Sequence, residues 1–317
     1  MCGEMNNVII MRMKRVLFVV NFTSGTRTIR SRLPQILEVL GEHDCLVTVY
    51  PLVPSKGLVA ENVIAAYAGE YDCILCCGGD GTLNHVINEV MNAGLDIPIG
   101  YIPSGSTNDF SKSLTDGIKY ADTELASAVA DGDDFLYDIG RANDRYFNYV
   151  AAFGAFTAIS YETPQDLKNN LGYLAYILNT LGRLSENLSY KVHMRIEHDE
   201  GVEEGDYIFG AVSNSISVAG MESTLLSNVK LDDSLMEVSL IRAPEKFADT
   251  NAIVSDIAAG KIQHDNVRMF KTHHIRFIAD EPVAWTLDGE AGGSHDITDI
   301  EVVSKAIRMK VPRKHKA

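Results

Sequence analysis

One apolar strand that runs directly into a glycine-rich turn constrains the fold of this chain more than any other feature. Residues 72–77 read Asp-Cys-Ile-Leu-Cys-Cys, an apolar run typical of a strand that is buried on both faces of a parallel sheet. The run continues as Gly78-Gly79-Asp80-Gly81-Thr82. Apolar residues then recur at helical spacing, at Leu83, Val86, Ile87 and Val90. This order of strand, turn and helix predicts a parallel α/β sheet.

The glycine turn is typical of a phosphate-binding loop. Glycines adopt positive φ angles and let the backbone approach an anion closely. The helix that follows presents free N–H groups and a partial positive charge. The turn lacks the Gly-Lys-Ser/Thr ending of a Walker A loop and the spacing of the dinucleotide-binding fingerprint. A carboxylate is unfavourable inside an anion cradle unless Mg²⁺ lies between it and the phosphates, so we expect Asp80 to bind a catalytic metal ion.

The remaining pattern divides the chain into two predicted domains. Up to residue 137, strands at 16–21, 45–51 and 97–102 alternate with helices at 29–40, 58–68 and 123–130. From residue 138 the predicted strands are longer and alternate in polarity, at 146–152, 190–197, 207–213, 236–241, 275–279 and 300–303. We predict a Rossmann-like parallel-sheet nucleotide-binding domain over 1–137, with 1–12 as an extension. An antiparallel β-sandwich domain over 138–317 would follow, with the chain end packing back on the first domain.

Net charge, apolar runs and cysteine content limit the kinds of molecule that this protein can bind. The formal net charge of −15 argues against nucleic-acid binding. No apolar run reaches the ~18–20 residues of a membrane-spanning helix. Five cysteines, three of them in one apolar strand, indicate a reducing compartment, so we expect a cytoplasmic protein. Contact with a membrane would need a local cationic surface. The chain end supplies one candidate, more simply interpreted as a solvated face, at Arg308, Lys310, Arg313, Lys314 and Lys316.

Three segments resemble one enzyme family in the same order along the chain. Residues 77–84, Cys-Gly-Gly-Asp-Gly-Thr-Leu-Asn, resemble the signature of the diacylglycerol kinase catalytic domain. Its superfamily includes sphingosine and ceramide kinases and, more distantly, NAD kinases and phosphofructokinases. Residues 21–25 resemble the family's Asn-Pro-x-Ser-Gly, and residues 102–110 its Ile-Pro-x-Gly-Thr-x-Asn-Asp-Phe. Segments that resemble motifs of the soluble bacterial diacylglycerol kinases follow at 138–140, 160–164, 230–233 and 287–290.

The resemblance implies an ATP-dependent lipid kinase that phosphorylates the hydroxyl of a diacylglycerol at the membrane surface, with ATP and Mg²⁺ as cofactors. It also implies a homodimer. Three loops at the carboxyl ends of parallel strands would hold ATP, where open α/β sheets bind ligands. The residues assigned to ATP are Asn21, Thr23, Ser24, Gly25, Gly78, Gly79, Asp80, Gly81, Thr82, Asn84, Ser104, Gly105, Ser106, Asn108 and Asp109.

The catalytic roles are assigned partly by resemblance. Glu290 follows a tight Asp288-Gly289 turn, and the soluble bacterial kinases support it as the general base for the lipid hydroxyl. Asp138 would join the metal–water network with Asp80. The relatives also imply a second, structural Mg²⁺, bound by the side chain of Asp233 and the backbone carbonyls of Lys230 and Leu235.

Two departures from the family pattern keep alternatives open. Ser55 stands near the place where the family has an ATP-contacting threonine, and Ser234 replaces a glycine. The motifs fit a kinase of a sphingoid base, a ceramide or a polyprenol equally well. They also fit a regulatory member without lipid turnover, or a nonenzymatic nucleotide-binding module that tolerates loss of Glu290.

A predicted helix at 171–184 carries a leucine stripe that covers a lipid entrance or, as we favour, packs in the core.

Overall fold

The computed structural model describes residues 13–24, 29–105, 108–154, 191–215, 217–218, 221–222, 229–244 and 265–313. Several sequence predictions concern residues outside these ranges. They are the extension at 1–12, the ATP contacts at Gly25 and Ser106, the motif at 160–164, the helix at 171–184, and Lys314 and Lys316 of the cationic cluster.

A four-stranded parallel sheet forms the first part of the fold. Its strands are β1 (Lys14–Asn21), β2 (Cys45–Leu52), β3 (Cys73–Gly78) and β4 (Ile99–Pro103). They lie in the order β2-β1-β3-β4, and every pair is parallel. All six residues of β3 are buried, as the continuous apolar run predicts. The strand that leads into the glycine turn therefore lies in the interior of the sheet.

Helices cover both faces of this sheet. The described helices are α1 (Ile29–Glu42), α2 (Ala60–Tyr67), α3 (Asp80–Asn92), α4 (Asp109–Leu114) and α5 (Asp122–Asp131), with 3-10 turns at Pro54–Lys56 and Ala68–Glu70. Ile36 of α1 and Val129 of α5 pack in one core with Phe18. Ile64 of α2 and Val86 of α3 pack in another, on the opposite face. The helix–sheet–helix layering is that of a doubly wound α/β domain.

The second part of the fold is predominantly antiparallel. Its strands are β5 (Asp133–Ala142), β6 (Arg145–Phe147), β7 (Val150–Gly154), β8 (Val192–His198), β9 (Gly201–Ser213), β10 (Ser217–Val218), β11 (Met221–Glu222), β12 (Met236–Arg242), β13 (Val267–Thr272), β14 (His274–Leu287) and β15 (Glu290–Val311). Phe153, Phe277 and Trp285 pack around one point of its core, with ring centroids 5.0–5.7 Å apart. The predicted α/β-plus-sandwich fold class is confirmed.

One long strand connects the two parts. β15 pairs with β14 from Glu290 onward and with β5 in its second half. It ends parallel to β4, where Met309 lies opposite Ile99. The strand that begins at Glu290 thus finishes in the sheet that carries the phosphate loop. The domain boundary at residue 137 falls within β5 and stays a prediction.

Candidate active site

The three predicted ATP loops meet at the carboxyl ends of β1, β3 and β4. The backbone N–H of Ser104 donates to the carbonyl of Gly78 at 2.8 Å, which fastens the loop after β4 to the loop after β3. The side-chain amide of Asn21 donates to Thr82 Oγ1 at 2.9 Å and joins the loop after β1. Asn21 Oδ1 also accepts from the backbone N–H of Thr23. The structure therefore brings together residues from three separate sequence motifs.

Glycine is required where two of these loops touch. A Cβ atom at Gly105 would lie 2.7 Å from the Cα of Gly79 and 2.8 Å from Oδ1 of Asn108. A Cβ at Gly79 would lie 3.3 Å from Ser24 Oγ. Side chains here would push the loops apart and fill the cradle. The backbone surface they leave is one that phosphate groups can approach.

Asn108 closes the loop after β4 around its own turn. Its Oδ1 accepts from the backbone N–H of Gly105 at 2.9 Å, and its Nδ2 donates to the Gly105 carbonyl at 3.0 Å. Asn108 has φ = 52°, in the left-handed region that asparagine tolerates better than most residues. Both polar ends of the amide serve the loop, so Asn108 shapes the cradle.

The carboxylate of Asp80 lies at the start of α3 and is almost fully buried. It accepts backbone hydrogen bonds from Asp109 at 3.0 Å and Phe110 at 3.3 Å, so it anchors the first turn of α4 to the phosphate loop. An ionised carboxylate has about four lone-pair sites. Oxygen donors of this kind suit Mg²⁺. The position and chemistry of Asp80 fit the metal role predicted from the sequence.

Glu290 stands beside the phosphate loop although it comes from the end of the chain. It follows a two-residue hairpin turn in which Asp288 has φ = 51° and Gly289 has φ = 84°, the backbone that Asp-Gly favours between antiparallel strands. Its Oε1 lies 3.2 Å from where a Cβ at Gly81 would be. The proposed base and the proposed ATP cradle are therefore adjacent.

Asp288 is buried and fixes the turn before Glu290, whereas the sequence predicted only that it belongs to a turn. Its carboxylate accepts backbone hydrogen bonds from Asn148, Tyr149 and Val150 at 2.6–3.0 Å. It also accepts from the side-chain amide of Asn84 at 2.6 Å. Burial raises the pKa of Asp288 to about 6, against the opposing effect of these donors. A turn residue with this many partners fixes the position of the glutamate two residues later.

Two predicted ATP ligands direct their side chains into the protein. Asn84 donates to Asp288 and, at 3.4 Å, to the carbonyl of Tyr146, and it is buried. Asp109 is only 1% exposed and lies 3.4 Å from Lys112 Nζ. Both residues hold the walls of the site together. Their assignment to ATP stays a prediction, whereas their structural contacts are observed.

His85 is a further residue of the site and was not predicted from the sequence. Its Nε2 lies 3.3 Å from Glu290 Oε1, and its Nδ1 lies 2.8 Å from Glu61 Oε1. The contact between His85 and Glu290 holds the pKa of Glu290 below its usual value and raises the pKa of His85 to about 8. In the sequence, His85 is one polar residue on an amphipathic helix, and no local signal distinguishes it from a solvated surface residue.

Asp138 lies where loops at 234 and 305 meet, and its assignment to the metal–water network of Asp80 stays a prediction. It is fully buried, and its two carboxylate oxygens accept backbone hydrogen bonds from Ser234 at 2.5 Å and Lys305 at 2.8 Å. Ser234, which replaces the family's glycine, has φ = 63°, so this position needs the backbone that glycine adopts most easily. Asp138 organises the loop that was predicted to hold the second Mg²⁺.

The residues at that second metal site do not fit Mg²⁺ as they are arranged. Asp233 Oδ2 pairs with Lys271 Nζ at 3.0 Å, and its Oδ1 accepts from the backbone N–H of Leu235 at 3.1 Å. Lys271 Nζ also lies 2.9 Å from Glu237 Oε1. An ammonium group already neutralises this carboxylate.

Two family models match this chain. Residues 15–142 match the diacylglycerol kinase catalytic domain, and residues 152–311 match the YegS C-terminal NAD kinase beta sandwich-like domain. A diacylglycerol kinase of Staphylococcus carnosus is 30% identical over 284 residues, which cover 88% of this chain and 90% of that protein. The Staphylococcus aureus (strain JH9) diacylglycerol kinase is 30% identical over 286 residues, covering 88% and 87%.

Solved structures show the same fold. A diacylglycerol kinase from Bacillus anthracis str. Sterne aligns with a TM-score of 0.71 at 20% identity and covers 95% of this chain and 97% of its own. Another structure from that organism aligns with a TM-score of 0.77 at 22% identity, covering 96% and 97%. The fold and these matches define a two-part kinase. The chain belongs to the diacylglycerol kinase catalytic domain family.

Proposed function

We propose that this protein transfers the γ-phosphoryl group of ATP to the hydroxyl of diacylglycerol, which gives phosphatidic acid. The observation that carries the proposal is the adjacency of Glu290 to Gly81 at the start of α3. A phosphate cradle and a carboxylate base within reach of it are the parts that phosphoryl transfer to an alcohol needs. The relatives named diacylglycerol kinase support this acceptor.

In the proposed reaction the loops after β1, β3 and β4 bind the phosphates through backbone N–H groups, and Asp80 would hold the nucleotide-bound Mg²⁺. That ion would offset negative charge between the phosphates. Glu290 accepts the hydroxyl proton as the acceptor oxygen attacks, because a lipid alcohol has too high a pKa to ionise beforehand. Its pKa is below its usual value, so the base is ionised before the substrate arrives.

The protein would bind its lipid substrate at the membrane surface. No described helix is long and apolar enough to cross a membrane. Three residues of the cationic cluster at the chain end lie beside carboxylates: Arg308 pairs with Asp96, Lys310 with Asp134, and Arg313 lies 3.8 Å from Asp133. This ion pairing supports the interpretation of that cluster as a solvated face. The cytoplasmic location and the homodimer stay predictions.

A lipid phosphorylation assay tests the proposal. Radiolabelled ATP is supplied with mixed micelles of diacylglycerol, sphingosine, monoacylglycerol or undecaprenol, with and without Mg²⁺. We expect labelled lipid in the diacylglycerol sample, dependent on Mg²⁺ and lost in Glu290→Gln. Label in another sample identifies a kinase of a different lipid. Absence of label from every lipid, with ATP binding retained by calorimetry, identifies the regulatory alternative and overturns the proposal.

A further inference from the structure

His85 lies between two carboxylates that come from different parts of the chain. It is on α3, one helical turn after Gly81, so both residues face the same side of the helix. On that side, Nε2 of His85 lies 3.3 Å from Glu290 of β15, and Nδ1 lies 2.8 Å from Glu61 of α2. The three side chains are partly exposed, between 35% and 46%. The imidazole therefore contacts the proposed base on one edge and an acidic partner on the other.

This arrangement selects one charge state of the ring. A neutral imidazole carries an N–H on one nitrogen and a lone pair on the other, so one of the two carboxylates would face a lone pair. Only the imidazolium presents an N–H at both positions. The raised pKa of His85, to about 8, agrees with this geometry, and the contact with Glu290 is its largest cause. His85 is accordingly a cation at neutral pH.

The charges that face this pair come from each element packed against it. Glu61 belongs to α2 and Glu290 to β15. Arg145 of β6 donates to the carbonyl of Ala291 at 2.6 Å and lowers the pKa of Glu290 further. Burial acts in the opposite direction on Glu290. Of the two cations that act on Glu290, His85 has the larger effect.

A cation at this position matters more once ATP is bound. The phosphates bring negative charge to the start of α3, beside Glu290, and like charges favour protonation of a carboxylate. A protonated glutamate cannot accept the proton of the acceptor hydroxyl. We propose that His85 is a positioning residue for Glu290. The imidazolium of His85 holds the Glu290 carboxylate ionised and beside Gly81, and Glu61 orients the ring. This role rests on the proposed function of Glu290 as the base.

The pH dependence of kcat separates this role from a merely structural one. In His85→Gln the cationic partner is lost, so the acid limb of the kcat profile should move to higher pH. His85→Lys restores a charge and should return the limb toward its wild-type position. A variant that only weakens the fold lowers kcat equally at every pH. His43→Gln is the matched control, because His43 pairs with Asp131 at 2.7 Å and is not part of this site.

A histidine-selective NMR titration provides a second readout that needs no lipid turnover. We expect the His85 signal, assigned through His85→Gln, to titrate near pH 8, and nearer 6.5 in Glu290→Gln. If wild-type protein phosphorylates no lipid but this coupling is present, the proposed function fails while the contact stands. Lipid turnover with an unmoved acid limb in His85→Gln, or an NMR titration unaffected by Glu290→Gln, overturns the role of His85.

Discussion

The side-chain amide of Asn84 donates a 2.6 Å hydrogen bond to Asp288, which is 204 positions away in the sequence. Asn84 belongs to the helix that follows the phosphate loop, and Asp288 begins the turn that carries Glu290. Asn88, one turn further along α3, strengthens the same junction. It donates to the carbonyl of Tyr146 at 3.0 Å and accepts from the backbone N–H of Tyr146 at 3.1 Å. The proposed ATP cradle and the proposed base are therefore held in register by buried and partly buried polar contacts.

Asn84→Ala should weaken both the fold and catalysis. Loss of one donor to a buried carboxylate costs about 1–3 kcal/mol of unfolding free energy. The turn before Glu290 would also lose its link to α3, so kcat should fall more than the KM for ATP rises. Urea unfolding and steady-state kinetics measure the two effects.

Asn62→Ala is the control for this change. Asn62 also donates from its side chain, to the carbonyl of Gly57 at 2.7 Å, but that bond is exposed. Exposed substitutions of this kind usually stay within about 0.5 kcal/mol. Equal effects of the two variants would show that the Asn84–Asp288 contact has no special role.

Asp288 should make stability depend on pH. Its pKa is about 6 in the folded protein against 3.8 ordinarily, so the folded state binds the proton more tightly. The contribution is complete below pH 3.8 and is lost as pH rises through 6. Asp288→Asn cannot titrate, and its amide opposes the N–H donors. The wild type should exceed it in stability at pH 4, and the gap should narrow by about 2–3 kcal/mol by pH 7.

Urea unfolding of both proteins at several pH values measures this gap. Comparison with the variant removes the effect of other carboxylates that titrate in the same window. A gap that widens with pH would contradict the prediction. It would mean that the four N–H donors, rather than burial, determine the pKa of Asp288.

The sheet and phosphate loop could be predicted from sequence because their signals are local. A six-residue apolar run followed by glycines and a helical repeat needs no distant partner to be recognised. The strand predicted at 146–152 shows where such signals fail. It breaks between β6 and β7, because the backbone N–H groups of Asn148 and Tyr149 donate to Asp288. That contact spans about 140 residues and leaves no trace in the local pattern.

Strand lengths failed for a related reason. β14 extends from His274 to Leu287, whereas the alternation predicted only 275–279. The pairing with β15 shifts register between Ile278 and Val283, and the shift interrupts the period-2 pattern that marks a strand. His85 was missed because its two acidic partners come from α2 and β15. Glu290 was found through its Asp-Gly turn and the family resemblance, although its distance from Gly81 required the structure.

Gly81→Ala should separate catalysis from stability. A methyl group there would come within 3.2 Å of Glu290 Oε1 and displace the carboxylate. Gly81 lies in the first turn of α3, where alanine is a better helix former than glycine by about 1 kcal/mol. We expect Tm to be unchanged or raised while kcat falls, because Glu290 must shift by a few tenths of an ångström and a misplacement of ~1 Å can cost 10²-fold.

Gly69→Ala is the control for Gly81→Ala, because a Cβ at Gly69 meets no atom within 4 Å. It should leave kcat unchanged. Full activity in Gly81→Ala would show that Glu290 tolerates a shift, which a residue acting as the base should not.

Asp80→Asn should lower turnover strongly while the protein stays folded. The asparagine Oδ1 can still accept one of the two hydrogen bonds from the start of α4, but it supplies no charge for Mg²⁺. We expect kcat to fall by at least ~10²-fold and the concentration of Mg²⁺ required to rise. Circular dichroism checks the fold, and Mg²⁺ titration of the residual rate checks the metal role. Wild-type Mg²⁺ dependence in the variant would remove Asp80 from the metal site.

Mg²⁺ without nucleotide should leave the Tm of the wild type unchanged, because Lys271 already pairs with Asp233 at the predicted second metal site.

Lys271→Met removes that ammonium and leaves Asp233 and Glu237 facing each other, at a cost of about 1–3 kcal/mol. Millimolar Mg²⁺ should then restore part of the loss, since the two carboxylates offer the oxygen ligands that Mg²⁺ binds. Thermal unfolding with Mg²⁺ and with EDTA measures both effects, and Lys56→Met, at an exposed lysine, is the control. A rise in wild-type Tm with Mg²⁺ that disappears in Asp233→Asn would show that the metal binds beside Lys271 after all.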